Sequence, residues 1–398
     1  MALRGNAAIA GVAEYPPERR FAGPGRFTIE QWADLAALAL EDAAIDPRQV
    51  DGLICSTDVY EAANMVPAVL AEYCGWNIAY AERVDLGGAS AVGMVWRAAM
   101  AIEAGICRTV VCALPARPRP ARPEGELDLA VVDANSTKAW GSPVGRYQSP
   151  YGNVGPNVGY ALVASHYDGV VGGGEEARAK LVADQRRSAA MNPDAVHYKS
   201  PILPEDVLAS RIVAPPLHLL EIVMPCTGGA AIVVTAATEV RSDRRPVVVS
   251  GFGEATSFYT PTYNRDLLRM PLRDAADRSF AMAGMSRDRI DMVQLYDPYS
   301  IAVVLSLENA GFCSTGEGNR FVLEHDLTYE GDFPCNTNGG QLGVGQARNA
   351  GGMTHVIEAV RQIQGTAGDR QLSKHDTAFI SGSGGSMAAQ AALILEGV

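Results

Sequence analysis

Several things are missing from this chain, and each absence narrows its chemistry. No run of about 20 apolar residues occurs in the 398, so no membrane span is expected. The first 25 residues, MALRGNAAIAGVAEYPPERRFAGPG, carry one short apolar run and then charges and prolines, which is not a signal peptide. None of the seven cysteines lies in a CxxC, which leaves a structural zinc site without support. An odd number also excludes complete intramolecular pairing, so a reducing cytoplasm fits, with most of the thiols acting as small buried hydrophobes. Positive charge is scarce: 33 Lys and Arg face 45 Asp and Glu, a formal net charge of −12. That balance argues against nucleic acid or an anionic membrane as a partner, and an anionic ligand would need a local basic patch. His166, His197, His218, His325, His355 and His375 show no metal-ligand spacing, and no metal is expected.

What is present is a long chain rich in glycine, 41 in all, which predicts many tight turns or close backbone contacts. At this length a chain buries roughly three quarters of its unfolded surface and usually exceeds one hydrophobic core. The most informative feature is an internal repeat. AIAGVAE (8–14) and VVVSGFGE (247–254) read as matching strands, each followed by a loop of aromatics and prolines and then a helix, about 29–45 and about 273–284. IDPRQVDGLICS (45–56) then matches MSRDRIDMVQLY (285–296), with Val50, Asp51 and Leu53 falling on Ile290, Asp291 and Val293 at a constant spacing of 240 residues. A Gly-rich turn feeding a helix follows in both halves (84–105 and 335–365), and then a buried strand (108–114 and 376–382), with Leu393-Ile394 in a closing strand. The expected division is an N-terminal half over 1–245, carrying an unpaired insertion at about 115–215, and a C-terminal half over 246–398. Such an insertion normally sits above the sheets and helps form a ligand site, or it is decoration.

In this order, YGNVGPNVGYALVASHY (151–167), DVLASRIVAPPLHLLEIVMPCTGGAAIVV (206–234), QLYDPYS (294–300), CNTNGGQLGVGQARNAGG (335–352) and SGSGG (381–385) resemble the thiolase superfamily over nearly the whole chain. The resemblance is to its sterol-carrier-protein-type branch. It implies a duplicated α/β fold of five αβαβα layers with an inserted loop domain, a dimer or tetramer, and an acyl-CoA thioester as ligand. CoA then enters as part of the substrate, with no tightly bound cofactor.

Against that pattern the chain departs at each reactive position. The family's nucleophilic cysteine falls on Gly88, and Ser90, two positions out of register, has no base among Gly87, Gly88, Ala89 and Ala91. The Gly-His-Pro histidine falls on Gln346, which donates hydrogen bonds but shuttles no proton at neutral pH. The second cysteine falls on Ser381, and the third signature reads Tyr296-Asp297-Pro298-Tyr299. A tyrosine there resembles the thiolase-like retro-aldolases of steroid side-chain breakdown. The resemblance implies cleavage of a β-hydroxyacyl-CoA together with a small OB-fold, often zinc-ribbon, partner. Such a reaction needs a proton acceptor and an oxyanion hole rather than a thiol.

The candidate catalytic residues are therefore Tyr296, Asp297, Tyr259, Tyr263 and Gln346, with backbone N–H groups near Gly88 and Gly382 as oxyanion donors. Asn336 and Tyr299 are candidate substrate contacts, and Arg117, Arg119 and Arg122 are candidates for the CoA phosphates, since guanidinium matches phosphate geometry. Three functions stay open: a carbon–carbon lyase on a bulky β-hydroxyacyl-CoA, an acyltransferase or Claisen-type enzyme, and a non-catalytic acyl-CoA-binding subunit.

Overall fold

A computed structural model describes residues 5–125 and 142–398. In the first half, β1 (Ala7–Glu18), α1 (Thr28–Ala43), β2 (Gly52–Cys55), α2 (Val66–Cys74), β3 (Tyr80–Arg83), α3 (Ser90–Glu103) and β4 (Thr109–Pro115) follow one another. The insertion adds α4 (Pro143–Tyr147), α5 (Pro156–Val170), α6 (Gly174–Ala190), α7 (Pro204–Ala209) and a small hairpin, β5 (Ile212–Ala214) with β6 (Leu217–His218), before β7 (Thr227–Ala236) closes the half. The second half comprises β8 (Val247–Thr256), α8 (Leu272–Ala283), β9 (Met292–Gln294), α9 (Ser300–Ala310), α10 (Gly318–Glu324), α11 (Gly340–Val344), α12 (Gly351–Ile363), β10 (Thr377–Gly384) and β11 (Ala389–Gly397).

The repeat read from the sequence is a repeat of contacts. A Cβ at Gly11 would stand 2.3 Å from the Ala39 carbonyl oxygen, and one at Gly251 would stand 2.2 Å from that of Ser279. In both halves a glycine on the first strand lets the first helix lie directly on it, at the same 240-residue spacing. Both helices end in left-handed caps at the matching positions Ala44 and Gly284. Asp51 then accepts hydrogen bonds from the backbone N–H groups of Arg108 and Thr109, and Asp291 from those of Asp376 and Thr377. Each aspartate thus ties the entry of one parallel strand to the next.

The strands run in the order β3-β2-β4-β7-β1-β8-β11-β10-β9, so four strands of each half are arranged alike about the β1–β8 junction and β3 adds a fifth to the first half. That junction is short: Ala8 pairs with Val248 and Ile9 with Val247. Side-chain alternation along the strands separates the layers. Cys112 and Ile380 join a core built on α3 and α12, whereas Val111 packs with α1 and α2, and Phe379 with α8 and α9. The central pair of helices therefore takes side chains from both half-sheets, and each half-sheet carries its own outer helices, giving five αβαβα layers. Among the described residues the insertion lies over the second half, where Tyr167 donates to the buried carboxylate of Glu308 on α9. Residues 126–141 of the expected insertion lie outside the described residues. No helix among the described residues is long and apolar enough to cross a membrane.

Candidate active site

The site forms where the start of α3 meets the ends of β9 and β10. The turn Gly87–Ala89 enters α3 with Gly87 at φ +55°, a conformation that favours glycine. It presses so closely on β10 that a Cβ at Gly384 would stand 1.8 Å from the Leu86 carbonyl oxygen. Gly382, proposed from the sequence as an oxyanion donor, is fitted against Ala89 and Val92, and its missing side chain admits the turn. At Gly88 the vacancy is filled from the other half of the molecule: a Cβ there would stand 2.1 Å from the Tyr296 hydroxyl oxygen and 2.5 Å from the Ser383 carbonyl oxygen. Gly352, opening α12, gives the ring room on another side, with its Cβ position 3.3 Å from Tyr296 Cε2. The phenol thus occupies the space that a side chain at position 88 would need.

Tyr296 is buried, and its backbone N–H donates to Ser381 Oγ at 3.1 Å. Its hydroxyl accepts a hydrogen bond from Gln346 Nε2 at 3.1 Å. Burial pushes the phenol up to about 12, while hydrogen bonds from Gln346 and Gln341 pull it down and the carboxylates of Asp297 and Asp58 raise it further.

Asp297, expected as a catalytic group, is fully buried and already committed. Its two oxygens accept the N–H groups of Gln341 and Leu342 at 2.8 and 3.1 Å, and His355 Nε2 lies 3.0 Å from Oδ1. This places a carboxylate at the start of α11, so Asp297 positions the loop that carries Gln346. Asn336 is likewise redirected from substrate to scaffold. Its side chain donates to the Leu295 carbonyl and accepts from the Leu295 N–H, holding the strand end that bears Tyr296.

Tyr299 is buried too; its hydroxyl donates to Asn157 Oδ1 and its ring stacks on Tyr160 at 4.2 Å. Tyr160, whose hydroxyl donates to the Gly385 carbonyl, lies close enough to Tyr296 to be harder to ionise because of it. Sequence reasoning missed Tyr160, His355 and Asp58: no short motif links them to Tyr296, and only the packing of α5, α12 and the β2 end brings them there. Tyr259 and Tyr263 are about half exposed at the rim, 49% and 57%, where the Tyr259 carbonyl approaches Gly385. Arg117, expected at a CoA phosphate, lies 3.8 Å over the Tyr15 ring and 3.5 Å from Glu18, so its guanidinium serves the β1 end. Arg119 lies over Tyr60, 5.0 Å from the ring centroid, and Arg122 is exposed.

All seven thiols are raised by burial, including Cys226 and Cys335 beside the site, and Cys226 Sγ donates to the Met224 carbonyl. A thiol held protonated is a poor nucleophile. No group of three or more His, Cys, Asp or Glu placed to hold a metal ion occurs among the described residues.

Residues 253–397 match the family described as thiolase C-terminal domain-like. The chain is 30% identical over 376 residues to the steroid side-chain-cleaving aldolase of Thermomonospora curvata, covering 92% of each. It is 30% identical to the 17-hydroxy-3-oxo-4-pregnene-20-carboxyl-CoA lyase of Mycobacterium tuberculosis, covering 92% of this chain and 93% of that one. The solved structure of the Ltp2-ChsH2(DUF35) aldolase superposes with a TM-score of 0.86 at 28% identity, over 100% of this chain and 99% of that one.

Proposed function

Because the chain belongs to the thiolase superfamily, in the branch of the steroid side-chain-cleaving aldolases, we propose that Tyr296 transfers the proton in a retro-aldol cleavage of a β-hydroxyacyl-CoA. The enzyme is a thiolase-fold lyase acting on a CoA-linked substrate. The observation that carries the assignment of Tyr296 is its hydroxyl, hydrogen-bonded to Gln346 and seated against Gly88 where a thiolase keeps its thiol.

The β-hydroxyl proton passes to the oxygen of the Tyr296 phenolate, the ionised minority form, as the Cα–Cβ bond breaks. The electrons of that bond become the enolate of the shortened acyl-CoA, and the β-carbon leaves as a ketone or aldehyde; return of the proton from Tyr296 to Cα gives the acyl-CoA product and restores the phenolate. An enolate oxygen near Gly88 meets the N-terminus of α3, where backbone N–H groups favour negative charge. Gln346 holds the tyrosine oxygen in place and lowers the cost of its ionisation. Burial raises the phenol toward the range of the alcohol it deprotonates, which makes the phenolate a strong base. Tyr259 and Tyr263 at the rim meet the acyl tail, with Arg119 and Arg122 toward the CoA end.

The acyl tail is bulky, by analogy with the steroid substrate in the relative's name. The DUF35 component of the aligned aldolase supports a small OB-fold and zinc-ribbon partner for this chain as well. A homodimer is proposed on family grounds, with the free edge of β3 available for pairing. Seven unpaired cysteines support a cytoplasmic location. The acyltransferase reading lacks a thiolate to carry the acyl group.

The test is mass spectrometry of the products after the protein, alone and with a co-expressed partner, meets a β-hydroxyacyl-CoA with a branched or ring-containing tail. A free carbonyl compound plus a shortened acyl-CoA is expected. An intact thioester across a panel of such substrates would overturn the assignment in favour of a binding subunit.

A further inference from the structure

Three arginines are buried among the described residues, and they differ in one respect. Arg178 pairs with Asp168 and Glu221, and Arg370 pairs with Glu358. Arg186 is 6% exposed and has no carboxylate within 4 Å among the described residues; Nη2 donates to the Ser200 carbonyl at 2.8 Å, and Nε has no partner. Arg178 and Arg186 lie on the same helix, α6, which makes the first a natural control for the second. Taking a guanidinium out of water without a counter-ion is costly, and such a group persists where an anion completes it.

The surroundings add positive charge instead of neutralising it. His197 is half-buried beside Arg186, and Arg19 is exposed at the mouth. Burial, together with repulsion from Arg186 and Arg19, pulls the His197 imidazole down to about 4. Arg19 also reaches Cys226 electrostatically. Cys226 Sγ and Val196 Cγ2 both abut Gly345, at 2.7 and 3.2 Å from its Cβ position. The next residue along, Gln346, donates to Tyr296. A cationic cluster of Arg19, His197 and Arg186 therefore extends from an exposed position to a buried one, alongside the loop that carries Gln346.

We propose that Arg186, with Arg19 and His197, forms a binding site for an anionic oxygen group of the ligand, a phosphate or a carboxylate. The site deepens the lyase reading and rests on it for its place beside the substrate. Its two sources on an acyl-CoA are the phosphates of the CoA moiety and a carboxylate on the acyl tail.

The test measures binding, without turnover, by titration calorimetry on the wild-type protein, Arg186→Gln and Arg19→Gln. The probes are coenzyme A, pantetheine and glutarate, with the His197 ring followed by NMR in each. If the phosphates are the source, Arg186→Gln weakens coenzyme A at least tenfold and leaves pantetheine unchanged. If a tail carboxylate is the source, glutarate weakens at least tenfold and coenzyme A does not. In either case the bound anion raises the His197 pKa in the wild type and not in Arg186→Gln. Arg19→Gln, at an exposed position, gives the same ranking should Arg186→Gln fold poorly. Equal affinity of all three proteins for both anionic probes would overturn the site. Since no product is read, that outcome is distinct from a failure of the lyase assignment.

Discussion

The two halves of this molecule place the same elements in the same way and then use them differently. In the first half the end of β2 carries Ser56 and Asp58; in the second the end of β9 carries Tyr296 and Asp297. Each strand end faces the start of the other half's central helix. Tyr296 meets Gly88, two residues before α3, while Asp58 accepts a hydrogen bond from Asn349, two residues before α12, at 2.8 Å. One crossing is closed by a carboxylate satisfied by Ser56, Tyr60 and Asn349. The other ends in a phenol against a glycine, with Gln346 donating to its oxygen. A duplicated frame thus offers two equivalent junctions, and the residue types at their tips set them apart: a committed carboxylate at one, a phenol at the other.

The sharpest way to break this comparison is Tyr296→Phe, which keeps the ring against Gly88 and removes only the hydroxyl. Turnover should fall by about 10²–10⁴-fold, the usual contribution of a positioned acid or base, with a stability loss of only about 1 kcal/mol for the hydrogen bond from Gln346. Because the phenol sits at about 12, it stays protonated near neutrality. A reaction that needs the phenolate should therefore gain about tenfold in kcat/KM per unit rise in pH below that value. Rates from pH 7 to 9.5 would show the slope in the wild type and its loss in Tyr296→Phe; a flat wild-type profile would remove the phenolate from the mechanism.

Gly88→Ala comes next. Its Cβ collides with the phenol and with the Ser383 carbonyl, so about 1–3 kcal/mol of stability should be lost along with activity. In a Tyr296→Ala background part of that penalty should vanish, and a thermal-melt double-mutant cycle would reveal the coupling. Purely additive losses would mean that the ring does not occupy the Gly88 vacancy.

Asn349→Ala probes the other crossing. It removes one donor from a buried carboxylate that keeps two others, so a stability loss of about 1–2 kcal/mol is expected by denaturant titration. Turnover should change by less than tenfold; a loss as large as that of Tyr296→Phe would erase the distinction between the junctions. The smallest effects belong to the shared frame. Asp51→Asn and Asp291→Asn each weaken bonds to two backbone N–H groups, and each should cost about 1 kcal/mol. Unequal costs would show that the duplicated aspartates no longer do the same work.

The constant spacing of 240 residues was legible because it is a property of neighbours along the chain. Strand, helix, charged turn and aspartate each follow from local pattern, and two copies of one pattern predict two copies of one unit. Gly88, Gln346 and Tyr296 stood out for the same reason, as substitutions at recognisable positions. What each side chain touches was not legible. Asp297 and Asn336 were read as chemical groups, but the fold directs them to the backbone of α11 and of Leu295. Arg117 looked like a phosphate ligand until β1 brought Tyr15 beneath it.

By itself, then, the sequence determined the repeat, and through its resemblance to the thiolase superfamily it implied the layer order and the loss of a cysteine at position 88, because the motifs that carry both lie in short stretches. Tertiary structure alone decided that the vacancy at Gly88 is filled by a tyrosine 208 positions away. It also decided that Arg186 has no carboxylate partner among the described residues while Arg178, two turns earlier on the same helix, has two. Contacts of that kind depend on which surfaces the folded layers bring together, and no local pattern along the chain records them.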